Sequence, residues 1–204
     1  MKYYLAYGSN LSMEQMAVRC PDAFPVATAV LPGYLPCFRT SGSGAYLTVE
    51  EGLNYTVSGT PVLVWAISDE DEKRLDRYEG YPTFYYKKRM TVAAKPLYTR
   101  AGQKGRMILC KDALIYIMHE DRKLGSPSNY YLDVCMDGYR RFGFNTDLLL
   151  RAVMYSEGDD FYDDGCECEC DLPFDEVPPC VTSRKKKRIN WEELESEGDV
   201  KYGC

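Results

Sequence analysis

The chain has 204 residues and a mass of 23.3 kDa, the size of one domain with room for an appendage. Hydrophobic residues make up 45% and charged residues 27%, ordinary for a globular protein, and no stretch approaches the ~20 apolar residues of a membrane helix. The formal net charge of −6 is unevenly placed: residues 1–155 carry 16 acidic and 19 basic side chains, a net of +3, and residues 156–204 carry 15 and 6, a net of −9.

That asymmetry predicts a folded domain over 1–155 and an acidic tail over 156–204, which lacks a sustained apolar period and alternates in charge blocks. The first ten residues turn polar by Gly8, too early for a secretory signal. The expected setting is cytoplasmic, with no membrane partner.

In chain order, residues 2–7 read as a strand, short and aromatic. Ser12 with Gln15 three positions on gives a capping-box pattern. Met13, Met16, Ala17 and Cys20 follow at helical spacing, and Pro21 ends the run. Residues 26–39, 45–50 and 55–67 hold apolar and β-branched runs separated by glycines, which predicts several strands. Ser68 with Asp71 opens a second helix, which Gly80 and Pro82 end.

Residues 84–94 and 112–118 are again strand-like. Ser128 opens a third helix in which Leu132, Cys135, Met136, Tyr139 and Phe142 keep helical spacing. Gly143 closes it, and Asn145 caps a short fourth helix through Val153. Strands with helices inserted at a few places predict an α+β fold.

The residue inventory limits the chemistry. His119 is the single histidine, so a His-rich zinc site cannot form within one chain, and we read this residue as a strand end. The nine cysteines are odd in number without a signal sequence, which predicts reduced thiols rather than a disulfide framework. The 18 tyrosines suggest a pocket with phenol donors on an apolar wall.

In the tail, Arg184 to Arg188 form a basic run flanked by acid, better explained by solvation than by nucleic-acid binding. No nucleic-acid partner is expected. Cys166, Cys168 and Cys170 give a C-x-C-x-C run, a poor match to zinc-site spacing. Trp191, Leu194 and Val200 could dock the tail onto the body or onto a protein partner.

Two places could carry chemistry. The first is Tyr7-Gly8-Ser9-Asn10-Leu11, a strand ending at a glycine before small polar residues and a helix start. A positive φ at Gly8 would let successive backbone N–H groups point at one spot, where a helix N-terminus favours a carboxylate or phosphate. An ordinary strand-to-helix turn has the same spacing.

The second place is Glu79, at a helix end among Tyr78, Tyr81, Phe84, Tyr85 and Tyr86. Both the helix dipole and burial would push its pKa upward, as a general acid/base near neutral pH requires. A solvated helix-end charge is the ordinary alternative. No second carboxylate stands at a spacing that suggests a glycosidase pair.

The combination of Tyr7-Gly8-Ser9-Asn10-Leu11 with Glu79-Gly80-Tyr81-Pro82 resembles the γ-glutamylcyclotransferase-like family. So does Ala113-Leu114-Ile115-Tyr116-Ile117-Met118 followed by Pro127-Ser128 and Tyr131, and together these cover nearly all of residues 1–153 in order. The resemblance implies a small mixed β-barrel flanked by helices.

It also implies release of a free amine or amino acid from a γ-glutamyl amide, with formation of 5-oxoproline. On that resemblance Gly8, Ser9, Asn10 and the backbone at Leu11 hold the substrate's α-carboxylate, and Tyr7 closes the cradle. Glu79 matches the acid/base, and Tyr116 and Tyr131 match pocket-lining tyrosines. The tyrosine after the glutamate matches either Tyr85 or Tyr86, and strand parity favours Tyr85. No metal or organic cofactor is implied. The alternatives are a cyclotransferase-like module that binds γ-glutamyl or other small carboxylates without turnover, and a tail that is itself the active, protein-binding part.

Overall fold

The computed structural model describes residues 1–42, 44–52, 59–98 and 106–158. The tail runs at Arg184–Arg188, Cys166–Cys170 and Trp191–Val200 therefore lie outside the described residues. Seven strands and four α-helices occur among the described residues. They are β1 (Lys2–Ala6), α1 (Met13–Arg19), β2 (Phe24–Leu31), β3 (Tyr34–Ser41), β4 (Gly44–Glu51), β5 (Thr60–Ile67), α2 (Asp69–Tyr78), β6 (Tyr85–Pro96), β7 (Ile108–Met118), α3 (Asn129–Phe142) and α4 (Asp147–Ser156).

Five strands close a mixed barrel in the order β1-β5-β2-β6-β7. Every neighbouring pair is antiparallel except β1 with β7, which close the barrel in parallel with Tyr4 opposite Leu114. β5 explains why the barrel is tight. All eight of its residues, Thr-Pro-Val-Leu-Val-Trp-Ala-Ile, are buried, so both of its faces pack and no polar alternation is possible.

The 26–39 run divides into β2 and β3 at Gly33, whose φ of 77° reverses the chain at low steric cost. β3 and β4 then form a separate hairpin with Tyr34 opposite Glu51 and Ser41 opposite Gly44. The hairpin is tied to the barrel by the Met118 N–H, which donates to Thr48 Oγ1 at 2.9 Å. It is tied to α4 by the Phe38 N–H, which donates to Ser156 Oγ at 2.8 Å. These bonds fix β4 over one end of the barrel, where the candidate site lies.

The helix starts differ in how fully their caps form. At α2 the capping box is complete, with Ser68 accepting from the Asp71 N–H and Asp71 accepting from the Ser68 N–H. At α1, Ser12 accepts from the Gln15 N–H at 3.2 Å, but Gln15 Oε1 is buried without a partner. Half of the expected box is therefore absent there. α4 begins one residue later than expected: its N-cap is Thr146, and Asn145 Oδ1 instead accepts from the Asp147 N–H at 3.0 Å.

Candidate active site

Two elements of local structure bring the site together. After β1, residues Ser9–Leu11 form one 3₁₀ turn, closed by the Leu11 N–H donating to the Gly8 carbonyl at 2.9 Å. The first N–H groups of such a turn have no acceptor within it. At the far side, α2 ends in a Schellman motif. The Tyr81 N–H bonds to Asp76 O at 2.9 Å, the Gly80 N–H bonds to Arg77 O at 3.4 Å, and Gly80 takes φ 62°. Glu79 is the cap residue of that motif, so its side-chain direction is set by a closed backbone turn rather than by a frayed helix end.

The side chain of Asn10 joins the two. Its Nδ2 donates to Glu79 Oε1 and to Tyr4 Oη, both at 2.8 Å. Its Oδ1 accepts from the Arg19 guanidinium, and its backbone carbonyl accepts from Trp65 Nε1 at 3.1 Å. Every polar atom of the side chain is used, and the cationic donor on Oδ1 fixes which end of the amide faces Glu79. Arg19 is held in turn by the Tyr78 ring, whose centroid lies 3.7 Å from the guanidinium carbon.

Glu79 keeps partial solvent access, yet burial dominates its titration and pushes its pKa up to about 7. The Arg19 charge and the Asn10 hydrogen bond pull the other way and are outweighed. Burial leads among these causes, where the sequence pattern had suggested burial and the helix dipole together.

Two connected spaces meet at this carboxyl. An inner chamber of about 30 Å³ is lined by Tyr4, Tyr7, Gly8, Asn10, Leu47 and Tyr116, room for on the order of one water. An outer cavity of about 500 Å³ is lined by Ser41, Gly42, Tyr46, Arg77, Tyr78 and Phe84, among others. Ser9, Glu79, Tyr85 and Tyr131 line both.

The phenols of the inner chamber divide by what their protons do. Tyr7 donates to the Tyr116 carbonyl at 2.7 Å, Tyr85 to the Leu47 carbonyl at 3.2 Å, and Tyr116 to Asp76 Oδ1 at 2.6 Å. Those three are committed to the protein. Tyr4 and Tyr131 instead accept, from Asn10 Nδ2 and from the Leu47 N–H at 3.3 Å; the Tyr4 proton is left available to an anion, while the Tyr131 hydroxyl also meets the Cys135 thiol. Burial holds both hydroxyls well above the usual phenol range, and for Tyr4 the Glu79 charge adds to it. They therefore remain donors at any physiological pH.

The sequence model of the gamma-glutamyl cyclotransferase, AIG2-like, family matches residues 4–133. The chain belongs to that family. Among solved structures, a gamma-glutamyl cyclotransferase is similar at 22% identity and TM-score 0.56, covering 97% of this chain and 99% of its own. An uncharacterized protein from Homo sapiens is similar at 24% identity and TM-score 0.55, covering 74% and 85%. YkqA from Bacillus subtilis is similar at 21% and 0.56, and this chain covers 54% of it. No curated protein matches the chain. These likenesses show the fold, a closed mixed barrel with flanking helices.

In this cyclotransferase-family chain, the structure gathers Tyr7, Gly8, Ser9, Asn10, Glu79, Tyr85, Tyr116 and Tyr131 around the two spaces. It separates Leu11 from them. The Leu11 N–H is spent on Gly8, and its side chain is fully buried against α3, where a Cβ on Gly138 would stand 2.5 Å from Leu11 Cβ. Leu11 thus anchors the turn rather than lining the cavity.

The expectation of a positive φ at Gly8 is also corrected, since its φ is −120°. What the glycine provides is room. A Cβ there would lie 3.3 Å from the Tyr131 hydroxyl, so a side chain would force the phenol to give way slightly.

Tyr86 sits outside the site and pairs with Glu120 at 3.3 Å. His119 follows β7 as a strand end, its Nε2 2.7 Å from the Pro82 carbonyl oxygen. Three residues at this site went unread in the sequence: Tyr4, Arg19 and Leu47. β1 is buried without alternation, so nothing in its pattern singled out Tyr4. Arg19, in the last turn of α1, reads as an ordinary dipole partner. Among the described residues no group of three or more His, Cys, Asp or Glu side chains is placed to hold a metal ion.

Proposed function

We propose that this chain is a γ-glutamyl cyclotransferase that converts a γ-glutamyl amide to 5-oxoproline and a free amine. The observation that carries the reading is the position of Glu79. A carboxyl with a pKa of about 7 stands where a small donor-lined chamber opens into a larger cavity.

The γ-glutamyl head group occupies the outer cavity where it meets the inner chamber, its α-carboxylate facing the backbone N–H groups of Ser9 and Asn10 and the hydroxyls at the mouth of the chamber. The leaving amine extends past Glu79 into the rest of the outer cavity. The nucleophile is the substrate's own α-nitrogen, so the reaction needs no nucleophilic side chain and no cofactor. Holding the bent conformer converts binding into rate, because ring closure is intramolecular.

The protons balance through one carboxylate. The α-ammonium must lose two protons to become the lactam N–H, and the amide nitrogen must gain two to depart as an ammonium ion. Glu79, near half-ionised at neutral pH, takes a proton from the α-ammonium, which frees the lone pair to attack the γ-carbonyl. It then returns the proton to the leaving nitrogen as the C–N bond breaks, and a second transfer from the ring nitrogen follows the same path. A base with a pKa close to the working pH is the most efficient at both tasks.

The test is product formation from γ-glutamyl amino acids, a γ-glutamyl alkylamine and glutathione. The reading predicts 5-oxoproline and amine in equal amounts from at least one of them, and none with Glu79→Gln. Saturable binding without any product would favour the non-catalytic carboxylate-binding module instead.

A further inference from the structure

The helix that ends at Glu79 has little apolar grip on the barrel. The buried residues of α2 are Asp71, Glu72 and Leu75, and Leu75 is the one apolar side chain among them. Tyr78, at the end of the helix, is half exposed. A single leucine buries too little surface to fix where the last turn of a helix lies, so polar contacts must decide it.

On the barrel side, Lys87 stands at the centre of those contacts. In β6 it lies directly opposite Tyr116 of β7, and the two side chains meet the same carboxylate on α2. Lys87 Nζ is 2.7 Å from Asp76 Oδ1 and 2.9 Å from Oδ2, and the Tyr116 hydroxyl donates to Asp76 Oδ1 at 2.6 Å. One turn earlier, Glu72 Oε1 accepts from Lys87 at 2.7 Å. Past the end of the helix, the Lys87 ammonium lies 4.8 Å from the centroid of the Tyr81 ring, a cation–π contact. Lys87 thus grips the chain on both sides of Glu79, at Asp76 and at Tyr81. Its side chain is mostly shielded from solvent, so these pairs are screened less than surface ion pairs.

Resting on the proposed reaction, we infer that Lys87 is a positioning residue for Glu79: by clamping Asp76 and Tyr81 against β6 and β7, it holds the carboxyl at the junction of the two spaces and away from bulk water. Lys87 acts through the helix rather than through its charge. The groups that act electrostatically on Glu79 are Arg19 and Asn10, and burial outweighs both. A last turn released from the barrel lets the carboxyl move towards solvent, which removes the dominant cause of its raised pKa.

The test reads the Glu79 carboxyl by its ¹³C resonance and needs no turnover. In Lys87→Gln the midpoint should fall from about 7 towards the ordinary glutamate value, by roughly one pH unit or more. Asp76→Asn removes the other half of the clamp and should do the same. Lys87→Arg, whose fork can meet both acids, should keep the midpoint near that of the wild type. Lys2→Gln is the control. Lys2 pairs with Asp69 at 2.7 Å and with Glu72 at 2.6 Å, in the same ion network but towards the start of α2, and its loss should leave the midpoint in place.

A midpoint that stays near 7 in Lys87→Gln or in Asp76→Asn overturns the inference, leaving the pair as a contribution to stability alone. An equal fall in Lys2→Gln overturns it too, since any loosening of α2 would then have the same effect. A midpoint that falls with Lys87 and Asp76 but not with Lys2, in a protein whose wild type forms no 5-oxoproline, upholds the clamp and rejects the reaction.

Discussion

The Asn10 side chain donates to Glu79 Oε1 at 2.8 Å while Arg19 holds the other end of its amide. This bond favours the charged form of a carboxyl that burial otherwise drives towards neutrality. Together with the stronger pull of the Arg19 charge, Asn10 therefore limits how far above the ordinary value Glu79 titrates. Removing it with Asn10→Ala should raise the Glu79 pKa further, so the acidic limb of the pH–rate profile moves to higher pH. Activity at pH 7 should fall by roughly 10-fold or more, within the usual range for a disturbed general acid/base. Kinetics from pH 5 to 9 on one turned-over substrate check both.

Two glutamates of the α2 region should affect stability with opposite sign. Glu79 has a raised folded-state pKa of about 7, so the folded state binds its proton more tightly than the unfolded one. Stability is thus lost as pH rises from about 4.5 to 7. Glu79→Gln should be more stable than wild type at pH 8, by roughly 2–3 kcal/mol, with the difference vanishing below about pH 4.5.

Glu72 is the reverse case. Partial burial opposes its ionisation, but hydrogen bonds from Lys2 at 2.6 Å and Lys87 at 2.7 Å prevail and hold its pKa at about 2. Its contribution is present above about pH 4.5 and is lost as pH falls towards 2. Glu72→Gln should cost on the order of 1–2 kcal/mol at pH 7 after solvent screening, and less at pH 3. Urea unfolding at three pH values tests the pair.

Much of this arrangement was legible because its signals are local. The end of α2 is written in Glu79-Gly80, since a Schellman turn needs a residue that tolerates φ > 0 one position after the cap. The Tyr7–Asn10 loop lies at a strand-to-helix junction and could be read as a unit. What escaped depends on tertiary approach. Tyr4 reaches Asn10, and the backbone of Leu47 meets Tyr85 and Tyr131, only once the barrel closes and the hairpin folds over it. Gly8 was misread for the same reason: the close neighbour that needs its small size, Tyr131, is more than a hundred residues away in sequence.

The two classes of phenol should separate in mutagenesis. Tyr7→Phe leaves the buried Tyr116 carbonyl without its donor and should cost about 1–2 kcal/mol of stability. Tyr131→Phe removes a hydroxyl that lines both spaces and is bonded to no backbone carbonyl among the described residues, so it should mainly raise KM or lower kcat/KM, by roughly 10-fold. Thermal melts and steady-state kinetics on both variants distinguish the roles. Equal effects on stability and activity in the two would remove the distinction.

The seating of the loop turn against α3 makes Gly138 sensitive. An alanine there gains about 1 kcal/mol of helix propensity but sets its Cβ 2.5 Å from Leu11 Cβ, an approach that either helix or turn must relieve. Overpacking of this kind costs about 1–3 kcal/mol and should win. Gly138→Ala should lower the Tm and, by moving Asn10, also reduce activity. An unchanged Tm would mean the turn yields freely.

The central claim is that Glu79 is poised near neutrality, and a direct titration of that carboxyl tests it without knowledge of the leaving amine. In protein labelled with ¹³C at the glutamate carboxyls, the resonance absent from Glu79→Gln identifies the residue. The account predicts a midpoint near pH 7, moving upward in Asn10→Ala. A midpoint at the ordinary glutamate value of about 4.5 would contradict it, leaving a solvated helix-end charge in place of an acid/base.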